Sequence, residues 1–211
     1  MATLGIDVGL KTMSMCIIKD NNILLWGVYN TLDAEVIMCE TCGRKAKYTD
    51  GFCGTHYKGI KVKKNEIKTK KVKSYSLHEL CSKVLVLLNK LLVENDKIFE
   101  TVTSVIVELQ PKFNPKMCFV SHVLFTKLCD HYNGKTVKIK FERASNKLKN
   151  YGGDKGKFVK NTYKNRKEKA IEYVTNELGK MDDINKEMKE YFAGLKKQDD
   201  ASDSFLLAFN N

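Results

Sequence analysis

The chain has 211 residues, with 37 Lys or Arg against 25 Asp or Glu, a formal net charge of +12. That length suits one domain with a small insertion, and a hydrophobic content of 43% is too high for a disordered chain. No apolar run approaches the roughly 18–20 residues of a membrane span, and the N-terminus lacks a signal peptide's basic region and long apolar core, which predicts an intracellular protein without a membrane partner.

Residues 2–8, 13–19 and 23–29 are short apolar runs, the last two separated by the turn signal Asp20-Asn21-Asn22, and they read as a three-stranded meander. Residues 38–60 then change to small, polar and Gly residues, and residues 58–73 carry eight lysines against one glutamate, a solvated or nucleic-acid-facing connection. Over residues 76–93 the positions Leu77, Leu80, Cys81, Val84, Leu87, Leu88 and Leu91 recur at three and four, one apolar stripe of a helix, with Ser76 and Glu79 as a capping box. The β-branched run TVTSVIV (101–107) predicts a buried strand with Glu108 at its end. Asn114-Pro115 reads as an N-cap followed by proline at the first helical position, opening a helix to about Tyr132. A strand over 136–142, a helix over 162–178 and a short amphipathic helix from Asp199 to Phe209 complete the chain. This order is a mixed α/β pattern, antiparallel first and parallel afterwards.

Four acids stand out by context. Asp7 ends the first strand, Glu108 ends a later one, and Asp200 and Asp203 lie three apart on one face of the last helix. An acid at the end of a buried strand is costly unless paired or bound to a cation, and converging oxygen ligands suit Mg²⁺ or Mn²⁺. Each acid alone has a plainer reading: Asp-x-Gly as a turn, Asp199 and Asp200 as partners of a helix dipole. The joint pattern carries the argument.

The segments GIDVGLKTMSMCII, VIVELQ and KKQDDASDSFLLAF, in this order, resemble the three acidic motifs of RuvC-like Holliday-junction resolvases of the poxvirus and large-DNA-virus type, in the RNase H-like superfamily. The resemblance spans nearly the whole chain apart from residues 38–73. It implies an RNase H-like mixed β-sheet flanked by helices, a pattern from which a small zinc-binding insertion at residues 38–60 departs. It implies that Asp7, Glu108, Asp200 and Asp203 hold two Mg²⁺ ions, with Mn²⁺ able to substitute, and that a homodimer nicks four-way junctions in branched double-stranded DNA symmetrically. A viral member would work at the host-cell site of viral DNA replication. The segment ERASNKLKNYGG is similar to the family's basic segment after the third conserved strand, and makes Lys147 and Lys149 both candidates for a lysine at the scissile phosphate. Lys164, Arg166 and Lys167 open the next helix, in a stretch (155–169) with seven Lys/Arg against one Glu, a phosphate track.

Cys39-x-x-Cys42 and Cys53-x-x-His56, ten residues apart, form a Cys₃His pattern that suits a closed, structural tetrahedral Zn²⁺ site, with Gly43 and Gly54 helping each knuckle turn. Tyr48, Phe52 and Tyr57 with nearby basic residues suit a module that grips a DNA arm, and a finger that only staples the insertion fits equally well. The other cysteines, Cys16, Cys81, Cys118 and Cys129, lie in apolar patterns and are expected in the core. His78, His122 and His131 lack a partner at ligand spacing. Met117, Val120, Val123, Leu124 and Phe125 make the 114–132 helix apolar on more than one stripe, which marks it for a dimer interface or for burial within the monomer. Three rivals remain: an RNase H-like nuclease for flaps, forks or RNA–DNA hybrids, a non-enzymatic zinc-containing DNA-binding protein, and an actin-like ATPase, which needs a second glycine-rich phosphate loop where the chain offers only Gly152-Gly153.

Overall fold

The computed structural model describes residues 1–32, 38–44, 46–59, 71–146 and 163–211. Lys147, Lys149 and the glycine pair Gly152-Gly153 lie outside them. Two compact units form, one from Met1–Thr31 with Leu77–Asn211, the other from Leu32–Ser76.

The first unit is built on β1 (Ala2–Val8), β2 (Thr12–Lys19), β3 (Asn22–Asn30), β4 (Val102–Leu109) and β5 (Lys138–Arg143). Their order in the sheet is β3-β2-β1-β4-β5. β1, β2 and β3 pair antiparallel, and β1–β4 and β4–β5 pair parallel. Lys19 pairs with Asn22, so Asp20-Asn21 is a two-residue hairpin loop, with φ of 49° and 63°. Both residues at positive φ make the tight turn whose twist matches a hairpin, and Asp and Asn tolerate it better than other residues with side chains.

Helices cover the sheet. α1 (Leu77–Glu94), α2 (Asp96–Phe99) and α3 (Pro115–His131) follow the meander and β4; α4 (Tyr163–Lys180), α5 (Lys186–Gly194) and α6 (Gln198–Phe209) end the chain. α1 buries Leu80, Val84, Leu88 and Leu91, the stripe its periodicity requires, and packs on α3. The Asn114 side chain accepts a hydrogen bond from the Met117 N–H at 3.3 Å and caps α3, with Pro115 at its first turn. On α3 the stripe Val120, Leu124 and Leu128 is buried inside the monomer and Phe125 stacks on Phe141 of β5 at 4.4 Å, so internal packing accounts for most of this helix's apolar surface; Phe119 stays exposed. α6 lies on β1 and β2 with α4 and α5 beside it. Trp26 of β3 anchors that layer: its ring stacks on Phe192 at 5.0 Å and meets Phe205 at 5.2 Å, and its Nε1–H donates to the Ala201 carbonyl at 3.1 Å.

Two helices, α2 and α5, are absent from the sequence reading. α2 has four residues and α5 nine, too short for a periodic stripe, and α5 buries only Phe192 fully. Of the cysteines expected in the core only Cys16 is fully enclosed; Cys81 and Cys118 are half-buried and Cys129 is exposed, because it falls on the outer face of α3 next to Asp130.

Candidate active site and metal centres

β1 is buried along its whole length except at Asp7. A central strand between parallel and antiparallel neighbours has both faces covered, so a carboxylate there is a deliberate departure. Gly5 pairs with Ile106 and Ile6 with Val107, so the next pair in register is Asp7 and Glu108. Paired residues on parallel strands point to the same face, and alternation puts Asp7 and Glu108 on the face of Gly5. That face receives α6. A Cβ on Gly5 would sit 2.3 Å from the Ser204 carbonyl oxygen and 2.6 Å from the Ala208 nitrogen. Glycine at this position, with the small buried residues Ser204 and Ala208 opposite, lets the helix backbone rest on the strand.

Asp203, next to Ser204, is thereby brought to the two strand-end acids. One carboxylate oxygen from each of Asp7, Glu108 and Asp203 lies within 4.8 Å of the others, and all three residues are half-buried. At that separation two unit charges repel by about 3.5 kcal/mol at an effective dielectric constant near 20, and a divalent cation between them reverses the sign. The donor set is all oxygen, which fits Mg²⁺ or Mn²⁺ and not a thiophilic metal. The Gln110 side chain, two residues beyond Glu108, is buried, and its Nε2 has no hydrogen-bond partner among the described residues. An unpaired buried amide costs about 1–3 kcal/mol.

Asp200 is not part of this cluster. Its Oδ2 accepts from the Thr12 hydroxyl at 3.0 Å and lies 3.6 Å from Lys197 Nζ, and its backbone carbonyl accepts from Ser14. Asp199 is ion-paired with Lys167, tying the first turn of α6 to the N-terminal half of α4. Burial pushes the Asp199 carboxyl up, but the hydrogen bond and charge of Lys167 outweigh it and hold it below the usual range. Lys164 and Arg166, in the first turn of α4, are exposed, Lys164 lying 3.7 Å from Glu168. Glu142, which pairs with Glu108 in the sheet, is an acid the sequence reading passed over. Asn146 donates to its carboxylate, Lys140 lies 3.5 Å away, and the hydrogen bond from Asn146 first, then Lys140, holds it ionised below the usual range. The alternation of residues 136–142 with Glu at the end was the signal that marked it.

The second unit holds the cysteine–histidine cluster. The Cys39 carbonyl accepts from the N–H groups of Cys42 and Gly43, and the Cys53 carbonyl accepts from those of His56 and Tyr57, so two like knuckles face each other. Gly43 sits at φ +64°, as the first knuckle requires. Gly54 does not adopt positive φ; Gly51, at +81°, makes the second turn of the loop. Cys42 Sγ lies 3.8 Å from Cys53 Sγ, and His56 Nδ1 lies 3.6 Å from the sulfurs of both Cys39 and Cys53. A tetrahedral zinc with bonds of about 2.3 Å to sulfur and about 2.05 Å to nitrogen has S–S edges of about 3.8 Å and S–N edges of about 3.6 Å. The residues therefore fit Zn²⁺, with Nδ1 as the histidine ligand. Burial pushes the Cys39 thiol up, but hydrogen bonds, from the Cys53 backbone foremost and then His56, outweigh it and bring it to about 5. Arg44 Nε donates to Cys42 Sγ at 3.3 Å.

No family model matches the sequence, and neither does any curated protein. Among solved structures, the yeast mitochondrial Holliday junction resolvase Ydc2 is similar over 98% of this chain and 76% of its own, with a TM-score of 0.50 at 14% identity. The likeness is one of fold, a mixed five-stranded sheet flanked by helices. RuvC of T. thermophilus, solved in complex with a Holliday junction substrate, aligns over 99% of this chain and 90% of its own at 10% identity, with a TM-score of 0.43.

Proposed function

We propose that this protein is a divalent-metal-dependent endonuclease that resolves four-way DNA junctions by paired, symmetric nicks. The observation that carries the reading is the convergence of Asp7, Glu108 and Asp203, from two adjacent parallel strands and a crossing helix, on a fold shared with a Holliday junction resolvase. A sugar kinase or ATPase needs phosphate loops, and a pure binding protein has no need of three converging half-buried acids.

Asp7, Glu108 and Asp203 would hold two Mg²⁺ ions, or Mn²⁺ in their place, with Asp200 beside them as an outer group on Thr12 and Lys197. Such ions, when bound, supply charge for the developing phosphorane and an activated water. The chain's own residues do the rest. The sheet register presents Asp7 and Glu108 side by side on one face, and the close approach of α6 at Gly5 brings Asp203 to them. Lys164 and Arg166, with Lys147 and Lys149, bind backbone phosphates, and Lys167 keeps α4 docked on α6 through Asp199. Binding should weaken steeply with salt. The zinc-held module of residues 38–60 and the lysine-rich connection 58–73 belong to one nuclease chain of the poxvirus and large-DNA-virus type. A homodimer places two such centres on opposite strands, with exposed Phe119 of α3 at the contact, inside the host cell where viral DNA replicates.

The test is a substrate panel: an immobile junction, a flap, a fork, an RNA–DNA hybrid and a linear duplex of matched sequence, with Mg²⁺. Paired ligatable nicks at the junction in preference to the others support the reading. Preference for flaps or hybrids would keep the centre and replace the substrate.

A further inference from the structure

Half of the chain's net charge lies in about a fifth of its length. Residues 32–76 hold eleven Lys/Arg against five Asp/Glu, a net of +6 out of +12. Loading the Cys₃His site converts three thiols to thiolates and adds a dication, so the metal-bound unit keeps about +5. A knuckle whose only task is to staple an insertion has no use for that field, and self-repulsion works against so small a unit.

The placement of the side chains says what the charge is for. Among the described residues of this unit, Arg44, Lys47, Lys58, Lys71 and Lys73 are all exposed, against the exposed acids Glu40 and Asp50. The aromatic residues are turned the other way. Tyr48 and Tyr57 stack on each other at 3.9 Å, with 2% and 9% of their surface exposed, and Phe52 is half-buried. A module that reads single strands offers exposed rings on which bases stack. This one spends its rings on its own small core and shows the solvent cations. Arg44 is held to the knuckle by its bond to Cys42 Sγ, so its charge has a fixed place on the surface.

We propose that the zinc-held unit is a second DNA-contact surface, separate from the carboxylate centre, that grips duplex backbone phosphates without reading sequence. The choice of DNA over another polyanion rests on the proposed nuclease function; the surface chemistry does not. Its consequence is that part of the affinity for DNA belongs to a unit that carries none of Asp7, Glu108 or Asp203.

The experiment measures binding of the full-length, zinc-loaded protein to a fluorescent linear duplex across a salt series, with Ca²⁺ in place of Mg²⁺. The comparison is the variant with Lys47, Lys58, Lys71 and Lys73 all changed to Gln; Arg44 is left in place because it touches a ligand sulfur. Each lost phosphate contact removes about 0.9 from the slope of log K against log salt, so the slope should fall by about 3 to 4. Zinc content should stay at one ion per chain, and the same four positions changed to Arg should restore the slope. An unchanged slope and affinity with zinc in place would overturn the proposal. So would equal loss in the Arg set, which would make the lysines structural, or tighter binding to an A-form RNA duplex, which would change the partner. No cleavage is read, so this result and that of the junction panel fail separately.

Discussion

Changing Cys53 to Ala should empty the zinc site, and the structure says what is lost. Cys53 Sγ forms the 3.8 Å edge to Cys42 Sγ and a 3.6 Å edge to His56 Nδ1. A regular tetrahedron with a 3.8 Å edge has its centre about 2.3 Å from each sulfur, which is the zinc–thiolate bond length. X-ray absorption on the native protein should therefore return three sulfurs near 2.3 Å and one nitrogen near 2.05 Å, with one zinc per chain by mass spectrometry. Structural zinc contributes about 10–16 kcal/mol of folding free energy in finger peptides, and among the described residues of this unit the buried side chains besides Cys39 and Cys53 are few: Ala46, Tyr48, Tyr57 and Tyr75. The variant should hold no zinc and be cut by protease within residues 38–60 while the sheet unit survives. Ligation through Nδ1 leaves the proton of His56 on Nε2, and nitrogen NMR of the ring should show that tautomer. Stoichiometric zinc in the variant, an oxygen-rich coordination shell, or equal protease resistance without metal would refute the reasoning.

Three further perturbations bear on the carboxylate centre. Gly5→Ala places a methyl group 2.3 Å from the Ser204 carbonyl, so α6 must lift. A loss of about 3 kcal/mol, roughly 6–12 °C in Tm, should be accompanied by a larger fall in cleavage rate as Asp203 moves away, and a variant of native Tm and rate would remove the close approach from the account. Asp203→Asn should abolish Mn²⁺ binding measured by calorimetry, whereas Asp200→Asn, whose carboxylate rests on Thr12 and Lys197, should cost only the 10–100-fold of an outer group; the reverse order would place Asp200 in the centre. Asp199→Asn tests the pair with Lys167. The native carboxyl is held below its usual value of 3.8, so its contribution is present above that pH and lost as pH falls through the lower folded value. The stability difference between native and variant should be about 1 kcal/mol or less at neutral pH and vanish in acid; a difference that persists at low pH would contradict the ion pair.

What was legible in the chain follows from where periodicity and turn chemistry act alone. The meander, its Asp20-Asn21 turn, the stripe of α1, the Asn114 cap and the strand with Glu108 are local signals, and each element stands within two residues of its expected bounds. The mixed pairing followed from the order of elements. α5 was invisible because its nine residues are held by Trp26, a contact made across more than a hundred and sixty positions. The site was legible as a list of acids but not as a geometry. Asp200 and Asp203 share a helix face by spacing, and only the approach of α6 to Gly5 gives Asp203 to the strand acids while the side chains of β2 take Asp200. The module with Tyr48, Phe52 and Tyr57 read equally well as a grip on a DNA arm and as a staple, and the stacking of Tyr48 on Tyr57 turns those two rings into its small core.

The central claim is that three carboxylates make a metal-dependent phosphodiesterase centre. The most direct measurement takes an end-labelled, immobile four-way junction, native protein and Glu108→Gln, and reads binding and cleavage in the same samples with and without Mg²⁺. Glu108→Gln keeps the strand and its packing and removes one charge. Equal junction binding by both proteins, paired ligatable nicks by the native protein only, and none without the metal are expected. Nicks of equal yield from both proteins, or tight binding with no cleavage by either, would contradict it.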